Sequence, residues 1–429
     1  MRIIFYVLVM GVSAAVSFGG SWLIWKLSHR YRLYPKIRER DVHTRPTPRL
    51  GGVAIFLGIL IAFGVGSLLP PLALIFREPL QVPAVLGAAL LIVVIGVIDD
   101  IWDLDWFTKL AGQVLAAGIL AWQGVQIGWL PLPGTLFSLS SYQSLAITIF
   151  VVVLVMNAVN FIDGLDGLVA GVAIIASGAF FIYGYAVSYG PTEQSDYFNL
   201  AQFITAALIG ACLGFLPFNW RRGDDKPARL FMGDGGALVV GLLMATSTVA
   251  LAGQITPENI SATAALPTFI PIILPLAVLI VPLADFTLAV LRRLRAGKSP
   301  FSADRKHLHH RLLDMGHSHT HAVVIFYAWT TVASGGMLLF LLPEHGLVVG
   351  GLVMIVGFLA CTIVTLAPLS RRKQIEAAVQ SAPAELAAEA RVAEFDPLDA
   401  AAAAAATTEH TDAEAAHALE RLHEKEASS

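Results

Sequence analysis

Uncharged stretches recur along the chain with polar and charged residues gathered between them. Eleven such stretches run at approximately 3–25, 50–69, 82–98, 107–122, 144–162, 167–189, 199–218, 235–253, 267–288, 322–342 and 347–368. A membrane-spanning helix needs about 20 apolar residues, with a range of roughly 17–25. Most of the stretches comply, and 107–122 is short. The pattern predicts an all-α, polytopic integral membrane protein of about 11 transmembrane helices. Residues 3–25 are too long for a signal peptide and lack an A-x-A-like exit, so they read as a first span. The organisation expected is a transmembrane domain over 1–370, followed by an Ala- and Glu-rich tail over 371–429. That tail, with six alanines at 400–405, would be helical or disordered and carries no chemistry. No internal repeat stands out, which argues against an inverted-repeat transporter.

Composition agrees with the pattern. The 429 residues are 56% hydrophobic and 14% charged, with a mean hydropathy of +0.71; soluble domains carry roughly 25% charged residues. Cys212 and Cys361, the only cysteines, both lie in apolar runs, which argues against a disulfide framework. The net charge of −3 matters less than where the cations sit. Lys26, Arg30, Arg32, Lys36, Arg38, Arg40, Arg45 and Arg49 lie between the first two stretches. Arg221, Arg222, Lys226 and Arg229 follow the seventh, and Arg292 to Arg311 contribute seven more after the ninth. The alternate loops hold only Arg77, plus Arg2 at the start. The positive-inside rule then puts the N-terminus outside and the C-terminus in the cytoplasm, with every chemically rich loop on the cytoplasmic face of the cell membrane.

Four polar clusters fall on that face. "VIDDIWDLDWFTKLAGQ" (97–113) carries Asp99, Asp100, Asp103 and Asp105, whose mutual repulsion asks for a counter-cation, either Mg²⁺ or Lys109; a solvated acidic loop would read the same way. "NAVNFIDGLDGL" (157–168) sets Asn157, Asn160 and Asp163 in one polar stripe, with Asp166 three residues on. Capping of the next helix explains one of these residues, not four. "FMGDGGA" (231–237) places Asp234 among glycines at a helix start, an anion-friendly turn with a hard oxygen ligand for Mg²⁺; a simple cap is the alternative. "RRLRAGKSPFSADRKHLHHRLLDMGHSHTH" (292–321) sets His307, His309 and His310 among Arg305, Lys306 and Arg311, which suits phosphate better than zinc, although His317, His319 and His321 alternate like a metal site. Carboxylates, amides and cations on one membrane face fit Mg²⁺-dependent chemistry on a diphosphate, with a lipid-soluble partner to explain the spans.

Five blocks in order make the chain resemble the polyprenyl-phosphate N-acetylhexosamine-1-phosphate transferases, in particular the bacterial undecaprenyl-phosphate GlcNAc-1-phosphate transferases. They are "HTRPTPRLGGVAI" (43–55), "DDIWD" (99–103), "NAVNFIDGLDGL", "FMGDGGA" and "SPFSADRKHLHHRL" (299–312), and the resemblance covers roughly 40–330. It implies transfer of GlcNAc-1-phosphate from UDP-GlcNAc to undecaprenyl (polyprenyl) phosphate, the first membrane step of cell-envelope polysaccharide synthesis. The implied cofactor is Mg²⁺, with Mn²⁺ as a substitute. The implied partners are the UDP-sugar, the lipid and the membrane, with a homodimer open and no nucleic acid. Asp99, Asp100, Asp163, His307 and His309 are implied in catalysis, and Asp234 and Asp166 at the metal. Substrate contacts are implied for Asn157, Asn160, Lys109, Asn219, Phe231, Arg305, His310 and Arg49. The same chemistry on another UDP-N-acetylhexosamine or UDP-MurNAc-pentapeptide is the nearer alternative. A cation- or proton-coupled transporter is the remote one, since it calls for acidic residues on both leaflets and only Asp285 lies deeper.

Overall fold

The computed structural model describes residues 2–31, 47–132, 135–188, 200–222, 227–252, 318–342 and 345–366, with scattered positions between 287 and 317. The chain divides into two units, one of residues 1–313 with 318–364, the other of 314–317 with 365–429. In the second unit the His317 ring nitrogen Nε2 meets the Thr365 carbonyl at 2.8 Å.

The first unit is helical. In chain order it holds α1 (Arg2–Tyr31), α2 (Gly51–Ser67), a 3-10 turn (Pro70–Phe76), α3 (Gln81–Trp102) and α4 (Trp106–Trp122). A hairpin of β1 (Trp129–Leu132) and β2 (Thr135–Ser138) follows, antiparallel with Trp129 opposite Ser138. Next come α5 (Ser141–Ile162), α6 (Leu168–Ser188), α7 (Leu200–Asn219), α8 (Gly233–Ala252), α9 (His319–Leu339) and α10 (Gly346–Leu366). Among the described residues eight helices are long and apolar enough to cross a membrane, or nine if α2 and the 3-10 turn, bent by 113°, form one span. Two of the expected eleven stretches are not among these. α4 has only 17 residues, and the stretch at 267–288 lies outside the described residues, as does the tail after 366.

Lipid offers no hydrophobic drive for helices to associate, so contact depends on small residues and hydrogen bonds between helices. α1 and α7 use both. Ser13 Oγ and Ser17 Oγ donate to the Ala207 and Ala211 carbonyls, each at 2.7 Å, and Tyr6 Oη donates to Gln202 Oε1 at 2.7 Å. α8 is buried almost throughout, with α3 and α5 against it. At its start the backbones touch: a Cβ on Gly96 would overlap the Gly235 backbone, and one on Gly52 would overlap Gly236. That close approach carries the end of α3 and the start of α2 to the N-terminus of α8, where the polar residues collect.

Candidate active site

α3 ends where Asp103 enters the left-handed region (φ 54°) and its N–H returns to the Asp99 carbonyl at 2.8 Å. Two residues later Asp105 caps α4, accepting from Thr108 N at 3.0 Å and Thr108 Oγ at 2.6 Å. The Thr108 hydroxyl and N–H hold the Asp105 carboxyl below the usual carboxylate range. The four aspartates of this block therefore divide: Asp103 and Asp105 shape the helix junction, and Asp99 and Asp100 lie towards the start of α8. Asp99 is 1% exposed; its Oδ1 accepts from Leu104 N at 2.8 Å, and its Oδ2 lies 2.6 Å from Lys109 Nζ. Lys109, one turn into α4, reaches on to Asp234 Oδ2 at 3.4 Å.

Asp234 stands in the first turn of α8, where unpaired N–H groups and the helix dipole favour negative charge. The turn before it needs Gly233, whose φ is +75° and whose missing Cβ makes room for the Arg49 carbonyl and Asp100 Oδ2. Phe231 fastens the same corner through its backbone: its N–H donates to Pro48 O at 2.9 Å and its carbonyl accepts from Gly51 N at 3.0 Å. Asp99, Asp100, Lys109, Asp234 and the Arg49 backbone thus meet at one corner of the fold.

The α5–α6 turn supplies the second wall. Asn157 Nδ2 donates to Gln113 Oε1 on α4 and to the Val153 carbonyl, which fixes the orientation of its amide. Asn160 and Asp163 are half-buried at the end of α5. Burial first, then the charges of Asp234 and Asp166, push the Asp163 carboxyl up to about 8, with Arg49 pulling the other way. Asp163 thus lies within electrostatic reach of both aspartates. Asp166 is buried, and its Oδ2 accepts from Ala228 N at 3.1 Å, so it ties down the segment before α8. Burial raises its carboxyl, while the Ala228 N–H, Arg221 and His319 lower it. Asn219 is buried between Gly167 N (2.9 Å to Oδ1) and the Leu230 carbonyl (3.1 Å from Nδ2).

Residues 82–252, which carry most of these groups, match glycosyl transferase family 4. The decaprenyl-phosphate N-acetylglucosaminephosphotransferase of Mycobacterium leprae is 39% identical over 85% of this chain and 91% of its own length. The chain belongs to glycosyl transferase family 4. The probable undecaprenyl-phosphate N-acetylglucosaminyl 1-phosphate transferase of Bacillus subtilis is 33% identical over 67% of this chain and 72% of its own. An undecaprenyl-phosphate alpha-N-acetylglucosaminyl 1-phosphate transferase of Escherichia coli is 28% identical over 78% and 83%. The family resemblance drawn from the motifs is borne out, and this family-4 chain is a multi-pass membrane transferase.

Among the described residues no three His, Cys, Asp or Glu side chains form a ready-made metal cage. What converges is Asp99 and Asp234 around one ammonium, with Asp163 sensing Asp234. That donor set fits Mg²⁺, which takes one or two carboxylates and keeps water and substrate phosphates as its other ligands. A carboxyl raised to about 8 holds its proton at neutral pH, and a cation placed beside it favours proton release. The Mg²⁺ concentration for half-maximal activity is therefore expected to fall as pH rises from about 6 towards 8, with Asp163→Asn flattening that trend. Mg²⁺ titrations at fixed pH check this; a requirement independent of pH contradicts it.

His307, His309, His310 and Arg305 lie outside the described residues. Three residues now at the site were not singled out for it from the sequence: Gln113, Arg221 and His319. An internal Gln, a loop Arg and a His at the start of an apolar helix read as packing or solvation until their partners are known. The alternating histidines do not act together: His321 Nδ1 pairs with Ser318 Oγ at 3.0 Å, whereas His319 acts on Asp166.

Proposed function

We propose that the enzyme transfers GlcNAc-1-phosphate from UDP-GlcNAc to a polyprenyl phosphate on the cytoplasmic face of the cell membrane. The observation that carries this reading is the meeting of Asp99, Lys109 and Asp234 at the ends of three helices. A phosphate oxygen of the lipid attacks the sugar-linked phosphorus of UDP-GlcNAc. The bond to the bridging oxygen breaks, giving polyprenyl-diphosphate-GlcNAc and UMP. The second pKa of a phosphomonoester is about 6, so the nucleophile is already ionised at neutral pH and Asp99 or Asp100 need not act as a base. Lys109 offsets phosphate charge, and the Asn157–Asp166 wall orients the diphosphate. Asn219 and Phe231 stand on the uridine side, with the basic histidine loop supplying further phosphate contacts. Asp234 would hold Mg²⁺, with Asp166 and Asp163 beside it and Mn²⁺ as a substitute; the cation supplies charge neutralisation at the transferring phosphoryl group.

The relative at 39% identity is named for decaprenyl phosphate, and those at 33% and 28% for undecaprenyl phosphate. Decaprenyl phosphate is therefore proposed as the acceptor in place of the undecaprenyl phosphate expected from the motifs. Purified enzyme given Mg²⁺, a panel of UDP-sugars and both lipids tests this by UMP release. UDP-GlcNAc with decaprenyl phosphate is expected to be the best pair; no UMP with any UDP-N-acetylhexosamine sinks the reading.

A further inference from the structure

Gly167 is gripped on both sides of its Cα. The peptide before it donates N–H to Asn219 Oδ1 at 2.9 Å, and the peptide after it offers its carbonyl to Tyr327 Oη at 2.5 Å. Tyr327 comes from α9, 160 residues along the chain. Its ring fills the space a Cβ on Gly171 would take, and lies 6.4 Å from the Trp220 ring, which itself covers Gly167. From Gly167 the bonds continue: Asn219 Nδ2 to the Leu230 carbonyl at 3.1 Å, and Ala228 N to Asp166 Oδ2 at 3.1 Å. One connected set of hydrogen bonds thus runs from α9 through the Asp166–Gly167 turn to both ends of the segment between α7 and α8.

We propose that Tyr327 is a positioning residue for the sugar-nucleotide side of the site. Glycine has no Cβ to restrict its torsions, so the two bonds flanking Gly167 decide how its neighbours are presented. The Tyr327 hydroxyl pins the peptide that follows Gly167. Gly167 N–H therefore stays on Asn219 and the Asp166 carboxylate stays on the 228 backbone. This inference rests on the reading of the chain as a UDP-sugar phosphotransferase, because it names which substrate feels the tether.

Tyr327→Phe keeps the ring and its packing and removes only the hydroxyl. The expected result is a rise in KM for UDP-GlcNAc of roughly five- to fifty-fold, the range for one buried hydrogen bond and a displaced contact. KM for the polyprenyl phosphate is expected to change far less, so the two substrates separate. Combined with Asn219→Ala, the effect on KM is expected to be less than additive, since both act through one peptide. An equal loss towards both substrates, or no change towards either, overturns the proposal. Amide hydrogen exchange tests the tether without turnover: Tyr327→Phe is expected to speed exchange at 164–168 and in the segment before α8. Unchanged exchange there overturns the inference. Absence of turnover in the wild type overturns the functional reading instead.

Discussion

Asp234→Asn is expected to lower turnover at ordinary Mg²⁺ by about 10³-fold or more, roughly 4 kcal/mol of transition-state stabilisation. The change keeps the size and shape of the side chain, so the glycine contacts at the start of α8 remain. What it removes is the charge that the N-terminus of α8 favours and that faces Lys109. The Asp234 side chain is 33% exposed, within reach of solvent and substrate, which separates it from the enclosed Asp99. Asp99→Asn is expected to leave more residual rate, increasingly so at high pH, because the lipid phosphate is ionised without help. UMP release across an Mg²⁺ titration compares the two variants. Near-normal turnover by Asp234→Asn would remove the metal assignment.

Lys109→Met is the second large effect. Asp99 is 1% exposed with Oδ2 2.6 Å from the ammonium, and the same ammonium stands 3.4 Å from Asp234. Removing it leaves one carboxylate buried without its cation and brings two like charges face to face. Breaking a buried pair by deleting one partner costs about 3–5 kcal/mol, so thermal stability in detergent is expected to drop sharply, and activity with it. Adding Asn at position 99 to the Lys109→Met chain removes the stranded charge, and most of the lost stability is expected to return while turnover does not. An unchanged melting temperature for Lys109→Met alone contradicts the pairing.

The spans were legible because a helix in lipid must be apolar along its length, and apolar length is a one-dimensional property. Where bending decides, the sequence said less: α2 turns by 113° into the Pro70–Phe76 turn, although the shortness of α4 was already visible. The gathering of carboxylates was legible by residue type, since Asp99, Asp100, Asp163 and Asp234 are costly near lipid unless paired. Their division of labour was not. Asp103 and Asp105 read like their neighbours in "DDIWDLD" but end one helix and cap the next. The pairing of Lys109 with Asp234 spans 125 residues, and it depends on Gly96 and Gly235 letting two helices touch. Tyr327 carries no signal of its role, because an aromatic residue on an apolar helix looks like packing until the Gly167 carbonyl is seen beneath its hydroxyl.

The most direct test of the account follows the sugar-linked phosphate. UDP-GlcNAc labelled with ³²P at the phosphate attached to the sugar is given to the purified enzyme with Mg²⁺ and decaprenyl phosphate, and the products are separated into lipid and aqueous phases. Phosphosugar transfer predicts label in the lipid product, matched by unlabelled UMP in water. Label recovered in water as UDP, with unlabelled sugar on the lipid, would mean that the bond broken is the glycosidic one, and would contradict the assignment of this site to attack on the diphosphate.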